Sequence, residues 1–165
     1  MFGVSFVGVS SQHPILEQLN LSNEIRVAIK KLRDDSALEA RAVHHHTTKD
    51  GVALNVSVQH PITKELLPLY VCGYVVHDYG CAAVMGVPAH DERDALFAQQ
   101  HAIPCKPVVL VDNDTVMANS DFASGMPVEQ GAKAIVQRLK QEHVGDSTVS
   151  YKIRDWLVSR QRYWG

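Results

Sequence analysis

The chain has 165 residues, enough for one sizeable core and too few for a second full domain. Hydrophobic residues make up 45% and charged residues 21%, the balance of a folded soluble protein, which excludes a long disordered chain. A formal net charge of -2 excludes a surface coated with cationic side chains, so any nucleic-acid contact has to be local.

Phe2, Val4 and Phe6, followed by Val7 and Val9, read as a buried strand. The segment is apolar enough to suggest a signal peptide, but no Lys or Arg precedes the apolar run. Pro14 is placed to open a short helix through Leu19. Ser22 can cap a second helix, whose Ile25, Ala28, Ile29 and Leu32 fall on one face. Residues 35 to 50 are polar and irregular and read as a surface loop. Gly51 to Val58 alternates, with Val52, Leu54, Val56 and Val58 on one side. His60 to Glu65 then turns into a second strand over Leu66 to Val76, which predicts an antiparallel pair.

A turn at Asp78 to Gly80 leads into the apolar run Ala82 to Val87. Pro88 ends that strand, and Asp91 to His101 has helical character. Pro104 to Val111 is strand-like, and a polar stretch separates it from a helix opened by Pro127. That helix carries the stripe Ala132, Ile135, Val136 and Leu139 and is closed by Gly145. The final YKIRDWLVSRQRYWG changes character, so the sequence reads as a piece cut at both ends. No stretch approaches the length of a membrane span. Cys72, Cys81 and Cys105 form no CxxC pair, which fits reduced thiols in a reducing compartment.

Chemistry concentrates in VMGVPAHDERD, Val84 to Asp94. On spacing alone, Asp91 stands at an N-cap and Asp94 in the first helical turn, where both carboxylates simply favour the positive helix end. The functional alternative has Asp94 facing a pocket walled by Met85 and Val87, where it would hold an ammonium group. The apolar residues would then accept a side chain and orient an ester carbonyl for attack by water. His90 either donates to a substrate hydroxyl or helps start the helix.

Elsewhere the signals are weaker. His44, His45 and His46 cannot all face one ion from a regular element, and no acidic or cysteine ligands accompany them. Cys81 could act as a nucleophile with His77 or His90 as base, but a small buried residue fits as well. In the tail, Arg154, Arg160 and Arg162 interleave with Trp156, Tyr163 and Trp164. That pattern suits phosphate contact and stacking on a nucleotide, or equally packing against another domain.

VMGVPAHDERD followed by YKIRDWLVSRQRYWG resembles the leucyl-tRNA synthetase family of the bacterial and mitochondrial branch. HPITKELLPLYV, the DYG of Asp78 to Gly80 and IPCKPVV point the same way. The resemblance implies an α/β (α+β) fold: the editing insertion of class I synthetases, centred on a β-barrel with peripheral helices. Residues 1–150 would be that domain without its N-terminal threonine-rich part, and residues 151–165 the start of the return to the catalytic core.

The implied activity is hydrolysis of tRNA(Leu) carrying a noncognate amino acid. Such a second sieve is needed because an apolar synthetic pocket discriminates weakly between aliphatic side chains. The resemblance assigns Asp94 to the substrate's amino group and Met85, Val87 and Tyr79 to the pocket border. It gives Asp91 and His90 supporting roles beside Asp94, and Arg154, Arg160 and Arg162 to tRNA or the synthetic core. Hydrolysis would use a positioned water and a hydroxyl of the terminal adenosine, with no metal or cofactor; ATP and Mg belong to the synthetic core.

Implied partners are mischarged tRNA(Leu) and the remainder of the synthetase, in the cytoplasm or, alternatively, the mitochondrial matrix. One departure stands out. Gly80, Cys81 and Ala82 occupy a turn that is usually Gly-Thr-Gly, so a pocket-side hydroxyl and a permissive glycine are replaced. The alternatives are a non-catalytic RNA-binding or scaffolding remnant and, more remotely, a thioesterase-like hydrolase using Cys81.

Overall fold

The structure, a computed structural model, describes residues 1–39, 50–78, 80–112 and 114–149. The first strand, β1 (Phe6–Val9), leads into two helices, α1 (Ile15–Gln18) and α2 (Asn23–Glu39). Pro14 sits at the N-cap of α1, and the Ser22 hydroxyl accepts the backbone N–H of Ile25 at 3.4 Å, capping α2 as its sequence anticipates. The surface loop expected from residue 35 is a correction: α2 continues through Glu39. Residues 35 to 39 lack a glycine or proline to stop it. The histidines at 44 to 46 lie outside the described residues.

Two strands follow, β2 (Gly51–Gln59) and β3 (Leu66–Cys72), paired antiparallel with Val58 opposite Leu67 and Val52 opposite Val71. The turn between them is fixed by His60, which is buried. Its Nδ1 accepts the backbone N–H groups of Ile62 (3.2 Å) and Thr63 (3.0 Å), so the ring proton is assigned to Nε2, which donates to Met1 O at 3.3 Å. Burial is the main cause holding the His60 imidazole below its ordinary pKa, consistent with a neutral ring. The strand expected over residues 66 to 76 stops at Cys72, where the chain turns through Gly73 and Tyr74.

β4 (Ala83–Gly86) completes a four-stranded sheet of order β2-β3-β1-β4, in which β1 runs parallel to β3 and antiparallel to β4. The barrel implied by the resemblance is therefore corrected to an open sheet. Closing a barrel requires the two outermost strands to meet with a fixed stagger. Here β2 and β4 lie on opposite edges of the sheet.

After β4 come α3 (Glu92–Gln100), β5 (Val109–Asp112), β6 (Asp114–Met117), a short 3-10 turn (Asp121–Ala123) and α4 (Val128–Gln141). β5 and β6 form a separate antiparallel hairpin. β6 occupies the stretch expected to be an irregular polar connection. Its sequence, DTVM, has too little apolar alternation to announce a strand.

Alternation along the strands sends side chains to opposite faces of the sheet. One face carries Val9, Leu54, Leu69 and Val71, packed against Leu16 of α1 and Ile29 and Leu32 of α2. The other carries Phe6 and Cys72, packed against Phe97 and Ala98 of α3. A third cluster joins Phe2, Val108 and Met117 to Ile135 and Leu139 of α4. There the buried stripe differs from the expected one. Gly131, Ile135 and Leu139 face inward while Ala132 and Val136 are exposed, because α4 comes so close to Met117 that a β-carbon at 131 would lie 2.1 Å from its sulfur. Among the described residues no helix is long and apolar enough to cross a membrane.

The end of α4 is also set differently from expectation. His143, with φ 57°, occupies the left-handed position; His143 N donates to Lys140 O (3.2 Å) and Val144 N to Leu139 O (3.0 Å). This is the Schellman arrangement, with histidine where glycine is usual, so Gly145 is not the terminator. Replacing His143 with glycine removes the β-carbon strain. His143→Gly is expected to stabilise the chain by about 0.5 to 1 kcal/mol in urea denaturation, and a decrease would contradict the capping geometry.

Gly86 has the opposite requirement. A β-carbon there would fall 2.2 Å from the Phe6 ring. Gly86→Ala is expected to lower stability by at least about 1 to 3 kcal/mol in the same measurement, since Phe6 is fully buried and has nowhere to move.

Candidate functional site

The corner between β4 and α3 is built from the motif that stood out in the sequence. Pro88 follows the strand, and His90 N and Asp91 N both donate to Val87 O, at 3.0 and 3.1 Å, folding the chain into a tight turn. Asp91 then adopts an extended conformation (φ −130°, ψ 127°). Its Oδ1 accepts the N–H groups of Arg93 (2.9 Å) and Asp94 (3.1 Å), so it is the N-cap of α3. Both of these bonds are structural.

Asp94, one turn further, does not fold back onto the cap. It is only 7% exposed, and its two oxygens reach different parts of the chain. Oδ2 accepts Val87 N at 2.8 Å, and Oδ1 accepts the Tyr74 hydroxyl at 2.8 Å. One carboxylate thus joins the exit of β4, the turn after β3 and the first turn of α3. Being in the first turn also places its charge at the positive end of the helix.

Aromatic packing holds this arrangement in place. Phe6 of β1 stacks on Phe97 of α3 with ring centroids 5.0 Å apart, and Tyr70 and Tyr74 meet Phe97 edge-on at 5.4 and 5.8 Å. The Arg93 guanidinium carbon lies 6.0 Å from the centre of the Tyr74 ring. Burial, then the neighbouring Cys72 thiol and the hydrogen bond to Asp94, push the Tyr74 pKa well above the usual phenol range. Tyr74 therefore stays a donor.

The remaining sequence candidates are distributed around this point. Met85 is 51% exposed on β4, next to an exposed Val84, while Val87 is half-buried. His90 is exposed, and its Nε2 accepts Val108 N at 3.2 Å, tying the corner to the segment before β5. Cys81 is exposed rather than buried, and its thiol lies 3.7 Å from Ala83 O. Cys81 makes no hydrogen bond to His77 or His90 among the described residues. Tyr79, Arg154, Arg160, Arg162, Trp156 and Trp164 lie outside the described residues.

The substituted turn behaves as its residues dictate. Gly80 has φ 61° and Ala82 has φ 54°, so alanine takes the left-handed conformation that a glycine would adopt without strain. Two surface cavities lie elsewhere. One of about 500 Å³ is bordered by Phe122, Gln137 and Arg138; the other, of about 270 Å³, by Tyr70, His101 and Lys106. Neither is lined by Asp94, Met85 or Val87.

Tyr74 and the backbone of Val87 are the parts of this site that sequence reasoning missed. Tyr74 stands 20 residues before Asp94 in a segment read as strand, and no local pattern links the two.

Residues 1–140 match the family described as "Leucyl-tRNA synthetase, editing domain". The chain is similar to the leucine–tRNA ligases of Mycoplasmoides gallisepticum, at 39% identity over 170 residues, and Malacoplasma penetrans, at 40% over 171. All of this chain is covered in both, but only 20% and 21% of those proteins, so it spans about a fifth of their length. Among solved structures it is similar to a ternary complex of Agrobacterium radiobacter K84 agnB2 LeuRS with tRNA and LeuAMS. The TM-score is 0.63 at 27% identity, covering 93% of this chain and 17% of that one.

The buried and exposed thiols give a direct check of the site's packing. Cys72 lies under Tyr74 and Phe97 in the core, and burial pushes its pKa up to about 12, whereas Cys81 and Cys105 are exposed. At pH 8 iodoacetamide is expected to modify Cys81 and Cys105 and spare Cys72, as read by peptide mass spectrometry. Because the Cys72 pKa is raised on folding, its stabilising contribution is complete below the ordinary value of about 9 and is lost as pH rises toward 12. Rapid alkylation of Cys72 in the native protein would contradict the packing.

Proposed function

Since the chain belongs to the editing-domain family of leucyl-tRNA synthetases, we propose that it supplies the second sieve of such an enzyme. It hydrolyses the ester of tRNA(Leu) charged with a noncognate aliphatic amino acid. The observation that carries the reading is the Asp94 carboxylate, buried and fixed by two donors at the corner of β4 and α3.

An ionised carboxylate offers about four acceptor positions, and the bonds from Val87 N and Tyr74 OH occupy two. The other two would take the α-ammonium of an aminoacyl ester, a charge-assisted bond that anchors the substrate by the one group all amino acids share. Selection among side chains then falls to apolar surface. Met85, exposed on β4, and Val87 supply it, and Tyr79 is assigned to it by family resemblance alone. Water attacks the ester carbonyl, the tetrahedral adduct collapses, and the terminal adenosine leaves with its hydroxyl restored. A positioned water and an adenosine hydroxyl suffice for these steps.

Asp91 and His90 support the site by fixing the corner: one caps α3 and the other holds the segment at Val108. The partners in this reading are tRNA(Leu) and the remainder of a synthetase, in the cytoplasm or the mitochondrial matrix. Arg154, Arg160 and Arg162 would contact one or the other. The tRNA in the solved complex of the similar synthetase supports a tRNA partner here. ATP and Mg serve the synthetic core and take no part in the hydrolysis.

A second reading rests on the same bonds. With both Asp94 oxygens engaged and the residue nearly buried, its carboxylate is also what a purely structural tie would look like, as in a non-catalytic scaffolding module.

Deacylation separates the two. Within the full-length synthetase, the chain is expected to release isoleucine or norvaline from tRNA(Leu) and to spare leucyl-tRNA(Leu). Asp94→Ala is expected to slow that release at least about tenfold, because a charged hydrogen bond of this type contributes several kcal/mol. An absence of deacylation by the wild-type protein would favour the scaffolding module, and an unchanged rate in a folded Asp94→Ala protein would reject the assignment of Asp94.

A further inference from the structure

We infer that Tyr74 is the positioning residue of this site: its hydroxyl fixes the plane of the Asp94 carboxylate and so sets where a substrate's α-ammonium is held. The inference rests on the editing reading and deepens it. It is carried by geometry alone, since nothing in the local sequence joins Tyr74 to the motif.

A carboxylate held at one oxygen can still turn about the bond to its β-carbon. In this site Val87 N holds Oδ2 at 2.8 Å, which leaves that rotation open. The Tyr74 hydroxyl, at 2.8 Å from Oδ1, closes it. With both oxygens held by donors from separate segments, the two unfilled acceptor positions point in set directions, and an ammonium ion meets an oriented partner rather than a rotating one.

Tyr74 is suited to this. Its ring is pinned edge-on to Phe97 at 5.8 Å and lies beside the Arg93 guanidinium, so the hydroxyl is delivered from a rigid support. Burial raises the hydroxyl's pKa, which favours the protonated donor over a second negative charge beside Asp94. Tyr74 is not assigned a proton-transfer step. It acts through Asp94.

The test measures preference for an ammonium rather than stability. The probes are 3′-deoxy-3′-(isoleucylamino)adenosine, a stable amide with a free α-ammonium, and its N-acetyl derivative, which lacks the charge. Binding of each to the full chain is titrated by NMR for the wild type, Tyr74→Phe, Asp94→Asn and the double variant.

The wild type is expected to favour the ammonium probe. Tyr74→Phe should cut that preference about fivefold to tenfold, the range for losing one hydrogen bond to a charged group, while leaving affinity for the N-acetyl probe unchanged. Tyr74→Phe should add no further loss on top of Asp94→Asn, because both act through one carboxylate. Difluorotyrosine at position 74, which keeps ring and donor, should retain the wild-type preference.

If Asp94→Asn abolishes the preference and Tyr74→Phe, folded, keeps it, the positioning role is rejected while the editing reading stands. If the wild type binds both probes equally, or neither, the editing reading itself fails, and Tyr74 with it.

Discussion

The carboxylate of Asp94 is the constraint on which this structure turns. Three segments converge on two oxygen atoms: the exit of β4 and the first turn of α3, seven residues apart, and the turn after β3, 20 residues before Asp94. Burying an ion in this way is unfavourable unless it is compensated, and here a backbone N–H, a tyrosine hydroxyl and the positive end of a helix share that task. The corner is therefore rigid for electrostatic reasons. Packing reinforces it, because Phe97, on the same helix, is fully buried among Phe6, Tyr70 and Tyr74. Displacing α3 would break both sets of contacts at once.

Much of this was legible in the sequence, and the reason differs from element to element. The strand β2 declared itself by strict alternation at Val52, Leu54, Val56 and Val58, and all of these pack on one face. Ser22, Pro14, Pro127 and Asp91 marked helix starts because capping chemistry is local, confined to three or four residues. The end of α3 fell within a residue of the expected His101, while that of α4 was harder. Both α3 and α4 terminate through left-handed residues that are not glycine, Ala102 at φ 52° and His143 at φ 57°, so the usual signal is absent. The open sheet was beyond reach for another reason: strand order is set by long-range pairing, and a family likeness supplied a barrel where the residues themselves were silent.

The site divides in the same way. Its local half, the cap at Asp91 and the strand exit at Pro88, follows from spacing. Its non-local half, Tyr74 to Asp94 and His90 to Val108, needs the fold, since hydrogen bonds between residues 18 and 20 positions apart leave no periodic trace. Sequence reasoning could name the carboxylate but not what holds it. The Gly80, Cys81, Ala82 turn is an intermediate case, where the missing glycine was visible and the strained alanine at φ 54° is its conformational consequence.

An open sheet has two borders, each with backbone donors and acceptors that no neighbouring strand satisfies among the described residues. On β2 the pairing register slips between Ala53 and Ser57, around Asn55 at φ 54°, so that margin is kinked rather than flat. On β4 the margin is only four residues long and is cut off by Pro88, which has no N–H to offer. Neither border presents the long, straight ladder from which intermolecular sheets grow. The exposed Val84 and Met85 thus sit on a strand too short and too abruptly ended to template a second sheet.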